Sequence, residues 1–128
     1  MMDIERQRTL KSRHPDILGK VGIECGNGWW DLIDVLCREI EEQAKHEGLA
    51  PPRAIQVKEK FGGLRFNTDR SNDLYFALTK MAEAMSFRLC EDCGHPGVPR
   101  PGSGVFTLCQ DCFDQFRKND PMWHKIDN

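Results

Sequence analysis

The longest run of helical periodicity begins at Trp29. Apolar residues Trp30, Ile33, Leu36, Cys37, Ile40 and Ala44 recur three and four apart, the acids fall mainly on the other side, and Gly48 and Pro51 stop the pattern. This predicts a helix over 29–47. A second stripe, Leu74, Leu78, Met81, Ala82 and Met85, follows Ser71 as a candidate N-cap and predicts a helix over 71–88, with the stripe in the core. Between the two, Ala54–Val57 alternates in part, with Ile55 and Val57 on one face, and Leu64-Arg65-Phe66 reads as a return strand. Gly62 and Gly63 supply the positive φ angles of a tight turn. The expectation is a hairpin over 54–67, with Leu64 and Phe66 opposite Ile55 and Val57, and with Lys58, Lys60 and Arg65 pointing outward. Residues 3–13 read as a short charged helix, ended by Pro15 through its bias on His14. Cys25-Gly26-Asn27-Gly28 reads as a turn.

These elements give an α+β class: about three helices and a β-hairpin in residues 1–88, a cysteine-rich finger in 89–119 packed on them, and a tail over 120–128. No Gly/Ser or Pro break separates the second helix from Cys90, so the finger is expected to pack on the preceding domain and not to swing from it. A chain of 128 residues is long enough to bury a real core without relying wholly on a metal.

Six cysteines sharpen the picture. Four fall as Cys90-Glu91-Asp92-Cys93 and Cys109-Gln110-Asp111-Cys112, with 15 residues between the pairs. Each C-x2-C forms a tight knuckle that aims two thiolates at one tetrahedral ion, and two pairs complete its coordination. This predicts one structural zinc ion held by Cys90, Cys93, Cys109 and Cys112, with no open position for catalysis. Two disulfides are the alternative. They are disfavoured because the first residues carry charges and no apolar leader segment, which points to a reducing cytoplasm. Gly94 follows the first pair where positive φ is useful. Val105–Cys109 reads as a strand, and Phe113 and Phe116 mark a short amphipathic helix whose first turn holds Cys112. That order fits a treble-clef finger better than a zinc ribbon. His95 is expected beside the metal or exposed, and His14, His46 and His124 are expected at the surface.

Charge changes the list of partners. Residues 21–48 hold seven acids and two bases, residues 49–70 hold five bases and two acids, and the whole chain carries −2. A dedicated duplex binder is usually strongly basic. No apolar run reaches the length of a membrane span.

The segments ECGNGWWDLIDVLC, VKEKFGGLRF and LCEDCGHPG…TLCQDC together resemble a family of small, uncharacterised proteins of bacteriophages and prophages. The resemblance covers about residues 21–112. It implies a phage or mobile-element origin, a bacterial host cytoplasm and the four-cysteine zinc site, and it transfers no activity.

The leading functional expectation is therefore non-enzymatic binding to a host or phage protein, with Trp29, Trp30, Lys58, Lys60 and Arg65 as the contact residues. Adjacent tryptophans cannot both be buried on one helix face, so one is expected outside, although Trp29 packed under the glycine loop is an equal alternative. A homodimer through Trp29 or the hairpin edge is compatible with the same residues. A second reading is a nucleic-acid binder, with Arg70, Arg88 and Arg100 joining the hairpin cations and Phe61 or Phe66 stacking on bases. The enzyme readings rest on Cys25 as a nucleophile or on Glu24, Asp31 and Glu59 as metal-binding acids, and neither has diagnostic spacing.

Overall fold

A computed structural model describes residues 1–119, so the expected tail over 120–128 lies outside the described residues. In chain order the elements are α1 (Ile4–Arg13), α2 (Pro15–Leu18), β1 (Ile23–Glu24), a 3-10 turn (Asn27–Trp29), α3 (Trp30–Glu47), β2 (Ala54–Lys60), β3 (Gly63–Thr68), α4 (Asp73–Ser86), β4 (Val98–Pro101), β5 (Val105–Leu108) and α5 (Gln110–Asn119). Among the described residues the class is mixed α+β, with five α-helices and two small sheets. The expected count of about three helices is therefore low. α2 is a single turn begun by Pro15 at its first position, too short to show a period. β1 has two residues and pairs parallel to β2, Ile23 opposite Val57, which makes the hairpin a three-stranded sheet in the order β1-β2-β3.

The long helix follows its pattern. α3 buries Ile33, Leu36, Cys37, Ile40 and Ala44, and ends at Gly48 with φ +71, whose N–H reaches the carbonyls of Ala44 and Lys45. His14 is a correction to the expected surface histidines. It is 5% exposed, and its ring nitrogens lie 2.7 Å from Asp34 Oδ1 and 2.8 Å from Glu41 Oε1. It thereby ties the α1–α2 corner to α3.

The hairpin departs from its prediction in two ways. The turn residues are Phe61 and Gly62, with φ +54 and +88, between the paired Lys60 and Gly63. Gly63 has no positive φ. It is required because a side chain there would overlap the Phe87 ring. The strands also carry a bulge: Gln56 faces Asn67 and Ala54 faces Thr68, leaving Ile55 as the extra residue. Ile55 is consequently 63% exposed, while Val57 pairs with Phe66 as expected and Leu64 faces Glu59.

α4 starts from Asn72, whose side chain accepts from the Tyr75 N–H at 2.9 Å, and not from Ser71. The face it buries is Tyr75, Ala82 and Ser86. Small residues at 82 and 86 let the helix approach β3 closely, and Ser86 Oγ accepts the Leu64 N–H at 2.8 Å while donating to Glu83 O at 2.6 Å. The expected core stripe is thereby split: Ala82 is buried and Leu78 packs against the core, whereas Leu74, Met81 and Met85 face outward at 53%, 64% and 42% exposure.

The main core gathers Leu10, Ile17, Leu18, Ile23, Trp29 and Ile33 with Val57, Leu64 and Tyr75. A separate small core under the finger holds Cys90, Leu108 and Phe113, with Phe106 and Phe116 against it.

The bulge makes neighbouring positions differ sharply. Leu64→Ala should lower the urea unfolding free energy by about 2–5 kcal/mol. Ile55→Ala, one bulge away on the partner strand, should change it by no more than about 0.5 kcal/mol.

Candidate metal centre

The finger begins where α4 ends. Cys90 and Cys93 form a knuckle closed by the Gly94 N–H to Cys90 O at 2.9 Å, and Gly94 takes φ +82. β4 and β5 then form an antiparallel hairpin, Val98 opposite Leu108, which delivers Cys109 to the start of α5 and Cys112 into its first turn. All six cysteines are free of disulfides. The Sγ atoms of Cys90, Cys93, Cys109 and Cys112 lie 3.6–3.9 Å apart. An ion about 2.3 Å from each of four sulfurs sets tetrahedral edges of about 3.8 Å, so the quartet fits one tetrahedral thiolate-bound metal ion.

Backbone donors and neighbouring side chains support the site. The Cys112 N–H points to Cys109 Sγ at 3.5 Å and holds that thiol below its ordinary range. His95 Nδ1 lies 3.3 Å from Cys93 Sγ, so this histidine flanks a ligand and is not one of the four. Cys90 is fully buried, whereas Cys93 is exposed. Arg100 lies over the Phe113 ring at 5.0 Å and donates to Leu108 O at 3.2 Å, clamping the β-hairpin to α5.

The knuckle is built into the rest of the fold by two loops. The Gly28 N–H donates to Glu91 O at 2.6 Å, and the Gly26 N–H donates to the Glu91 carboxylate at 2.9 Å. A side chain at Gly28 would overlap the Cys90 carbonyl. Trp29 Nε1 donates to Leu89 O at 2.9 Å, just before the first ligand. On the other side Thr107 Oγ1 donates to Gly62 O at 2.6 Å, so β5 grips the turn of the β2–β3 hairpin. Burial pushes the Glu91 carboxyl up to about 7, against the opposing pull of the Gly26 N–H.

The expected contact residues separate. Trp29 is 0% exposed and belongs to the core, which corrects its place as a surface anchor. The reason is local: a 3-10 turn precedes α3, so the two adjacent tryptophans do not share one helix. Trp30 is half-buried, its Nε1 donates to Arg6 O at 2.9 Å, and the Arg13 guanidinium lies 5.0 Å from its ring centre. Lys58 and Arg65 face each other across β2 and β3, and Lys60 follows on the same side. Arg65 also meets Glu83 at 3.3 Å. Lys60 is exposed and lies 5.8 Å from the Phe61 ring. Thr107 and Glu91, which join the finger to the body, carried no sequence signal beyond Glu91's place inside a C-x2-C.

The catalytic readings lose their geometry. Cys25 is 2% exposed, and burial pushes its thiol up to about 12, so it is an unactivated thiol at neutral pH. Burial raises the Cys37 thiol as well. Among the described residues the cysteine quartet is the one cluster of three or more metal-capable side chains, so Glu24, Asp31 and Glu59 do not converge on a cation. No helix among the described residues is long and apolar enough to cross a membrane.

Gly28→Ala should force the knuckle off its seat, lowering the melting temperature and speeding metal transfer to a chromogenic chelator. Gly22→Ala, where nothing lies within 4 Å of the added methyl, should alter neither measurement. Compared with family models, with curated proteins and with solved structures, the chain finds no match in any of the three.

Proposed function

We propose that this chain is a small zinc-braced binding protein, a phage or prophage accessory factor of the bacterial cytoplasm that acts by holding a host or phage protein and not by catalysis. Zinc is the ion that suits four protein thiolates at tetrahedral spacing in a site with no open position. The order of knuckle, β-hairpin and a helix carrying the last ligand fits a treble-clef finger. The resemblance of the glycine-tryptophan loop, the hairpin and the cysteine pairs to small phage proteins supports the origin.

One observation carries the binding reading. Phe61 sits at φ +54 in the first position of a turn that favours Asn or Gly, and its ring is 69% exposed. The left-handed conformation costs about 1–2 kcal/mol for a residue with a side chain. So exposed a ring recovers little of this from packing within the chain. An exposed aromatic held in strain at the tip of a braced hairpin, beside Lys60, is the form of an interface anchor. With Trp29 in the core, the contact surface becomes Phe61, Lys60, Lys58 and Arg65, with Trp30 on a different face. A nucleic-acid reading draws on the same residues, because Lys58, Lys60 and Arg65 share one sheet face and Phe61 could stack on a base. The net charge of −2 and the pairing of Arg65 with Glu83 weigh against it.

Elemental analysis of protein purified without added metal should find one zinc per chain, and Cys93→Ser should abolish it while Cys25→Ser retains it. Phe61→Asn should raise stability by about 1 kcal/mol, because it relieves the turn. The same variant should lose a discrete protein that wild type recovers from bacterial lysate with or without nuclease treatment. Recovery that disappears on nuclease treatment would move the reading to nucleic acid. Equal recovery by wild type and Phe61→Asn would remove the hairpin tip as the contact.

A further inference from the structure

α4 carries more apolar surface than the fold covers. Leu74, Leu78, Met81 and Met85 form a continuous stripe, and three of them are more than 40% exposed. α3 lies antiparallel beside it. Glu47, at the end of α3, accepts from Asn72 at the start of α4, and Trp29, at the start of α3, bonds Leu89 just past the end of α4. The adjoining face of α3 presents Val35, Glu39, Glu42 and His46, with Val35 44% exposed. The two stripes border a shallow groove, with Leu74, Leu78 and Met81 on one wall and Glu39, Glu42 and His46 on the other. The lining spans residues 39–46 on α3 and 74–81 on α4, which at the helical rise gives a length of about 12 Å, or just over two turns.

We infer that this groove is a docking site for a basic amphipathic helix supplied by a partner protein. The site lies on a different face from the hairpin tip and goes beyond the binding reading above. The apolar wall supplies the burial that an amphipathic helix needs, and its methionines can adjust to side chains of different shape. The acidic wall selects the charge. Glu39 and Glu42 make no ion pair among the described residues, and residues 21–48 hold seven acids against two bases. Arg38 and Lys45 lie on the outer crest of α3, one step further from α4 by helical spacing. A helix with lysines or arginines flanking a leucine-rich face would place its cations against Glu39 and Glu42. A second copy of this chain is disfavoured because pairing these faces would bring two acidic walls into one small interface. An anionic lipid surface is disfavoured for the same electrostatic reason.

The test uses the metal-loaded full chain and two synthetic peptides of about 18 residues, long enough to form helix readily. One is a Leu/Lys amphipathic sequence and the other its Leu/Glu counterpart, with binding followed by fluorescence anisotropy. The Leu/Lys peptide should bind, more weakly as salt rises, and the Leu/Glu peptide should not. Met81→Glu should weaken Leu/Lys binding at least tenfold, and both Glu39 and Glu42 changed to Lys should reverse the preference. Phe61→Asn should leave peptide binding unchanged, so failure of the hairpin reading and failure of this one give different results. All these side chains are exposed, and circular dichroism checks that the variants keep their helices. Equal binding of both peptides, or indifference to the charge reversal, would overturn the proposal. So would wild-type self-association in sedimentation that Met81→Glu abolishes, because a second copy would then occupy the groove.

Discussion

The backbone of Gly28 lies against the backbone of the Cys90–Cys93 knuckle with no room for a side chain between them. Much of the molecule is set by that approach. It places Trp29 so that its indole can reach Leu89 O while its ring fills the core, and it fixes where the chain turns into α3. Glu91 faces the glycine loop with both its carbonyl and its carboxylate, and its own N–H bonds Thr107 O. Thr107 in turn holds the turn of the β2–β3 hairpin. The three segments that look most distinctive in the sequence thus meet at one junction.

The junction explains how so small a finger can be ordered. Its own core is little more than Cys90, Leu108 and Phe113 with two flanking phenylalanines, far below what folds alone. Metal ligation by the four thiolates would supply one source of order, and the seat on the glycine loop supplies the other. The dependence runs both ways, because the knuckle is also the surface against which the loop, Trp29 and the hairpin turn are packed. Losing the metal should therefore loosen the body of the protein at that seam as well as the finger.

The sequence was most legible where one local rule acts alone. The period of α3 and its glycine stop predicted its extent, and the spacing of the four cysteines predicted their convergence. It was least legible where tertiary contacts override local pattern. Periodicity in α4 reported an apolar face but not how much of it is covered, and the tight approach that Ala82 and Ser86 permit rotates the helix so that Tyr75, Ala82 and Ser86 go inward and Leu74, Met81 and Met85 stay outside. A single inserted residue in β2 turned Ile55 to solvent without changing the composition of the strand. β1 and α2 are too short to show a period. His14 gave no hint of two carboxylates waiting on α3, 20 and 27 residues away. Gly63 looked like a turn residue and is a contact with an aromatic ring.

The order in which these parts appear along the chain has a consequence for synthesis. Gly26, Gly28 and Gly62, which receive the knuckle and the finger, all precede Cys90, and the last ligand is Cys112. On the ribosome the seat is made first, and the four thiols are all available only after Cys112 has been made, so a metal site would close after the seat that receives it. A chain that never received an ion would keep that seam open, with the glycine loop and the hairpin turn lacking the knuckle that packs on them.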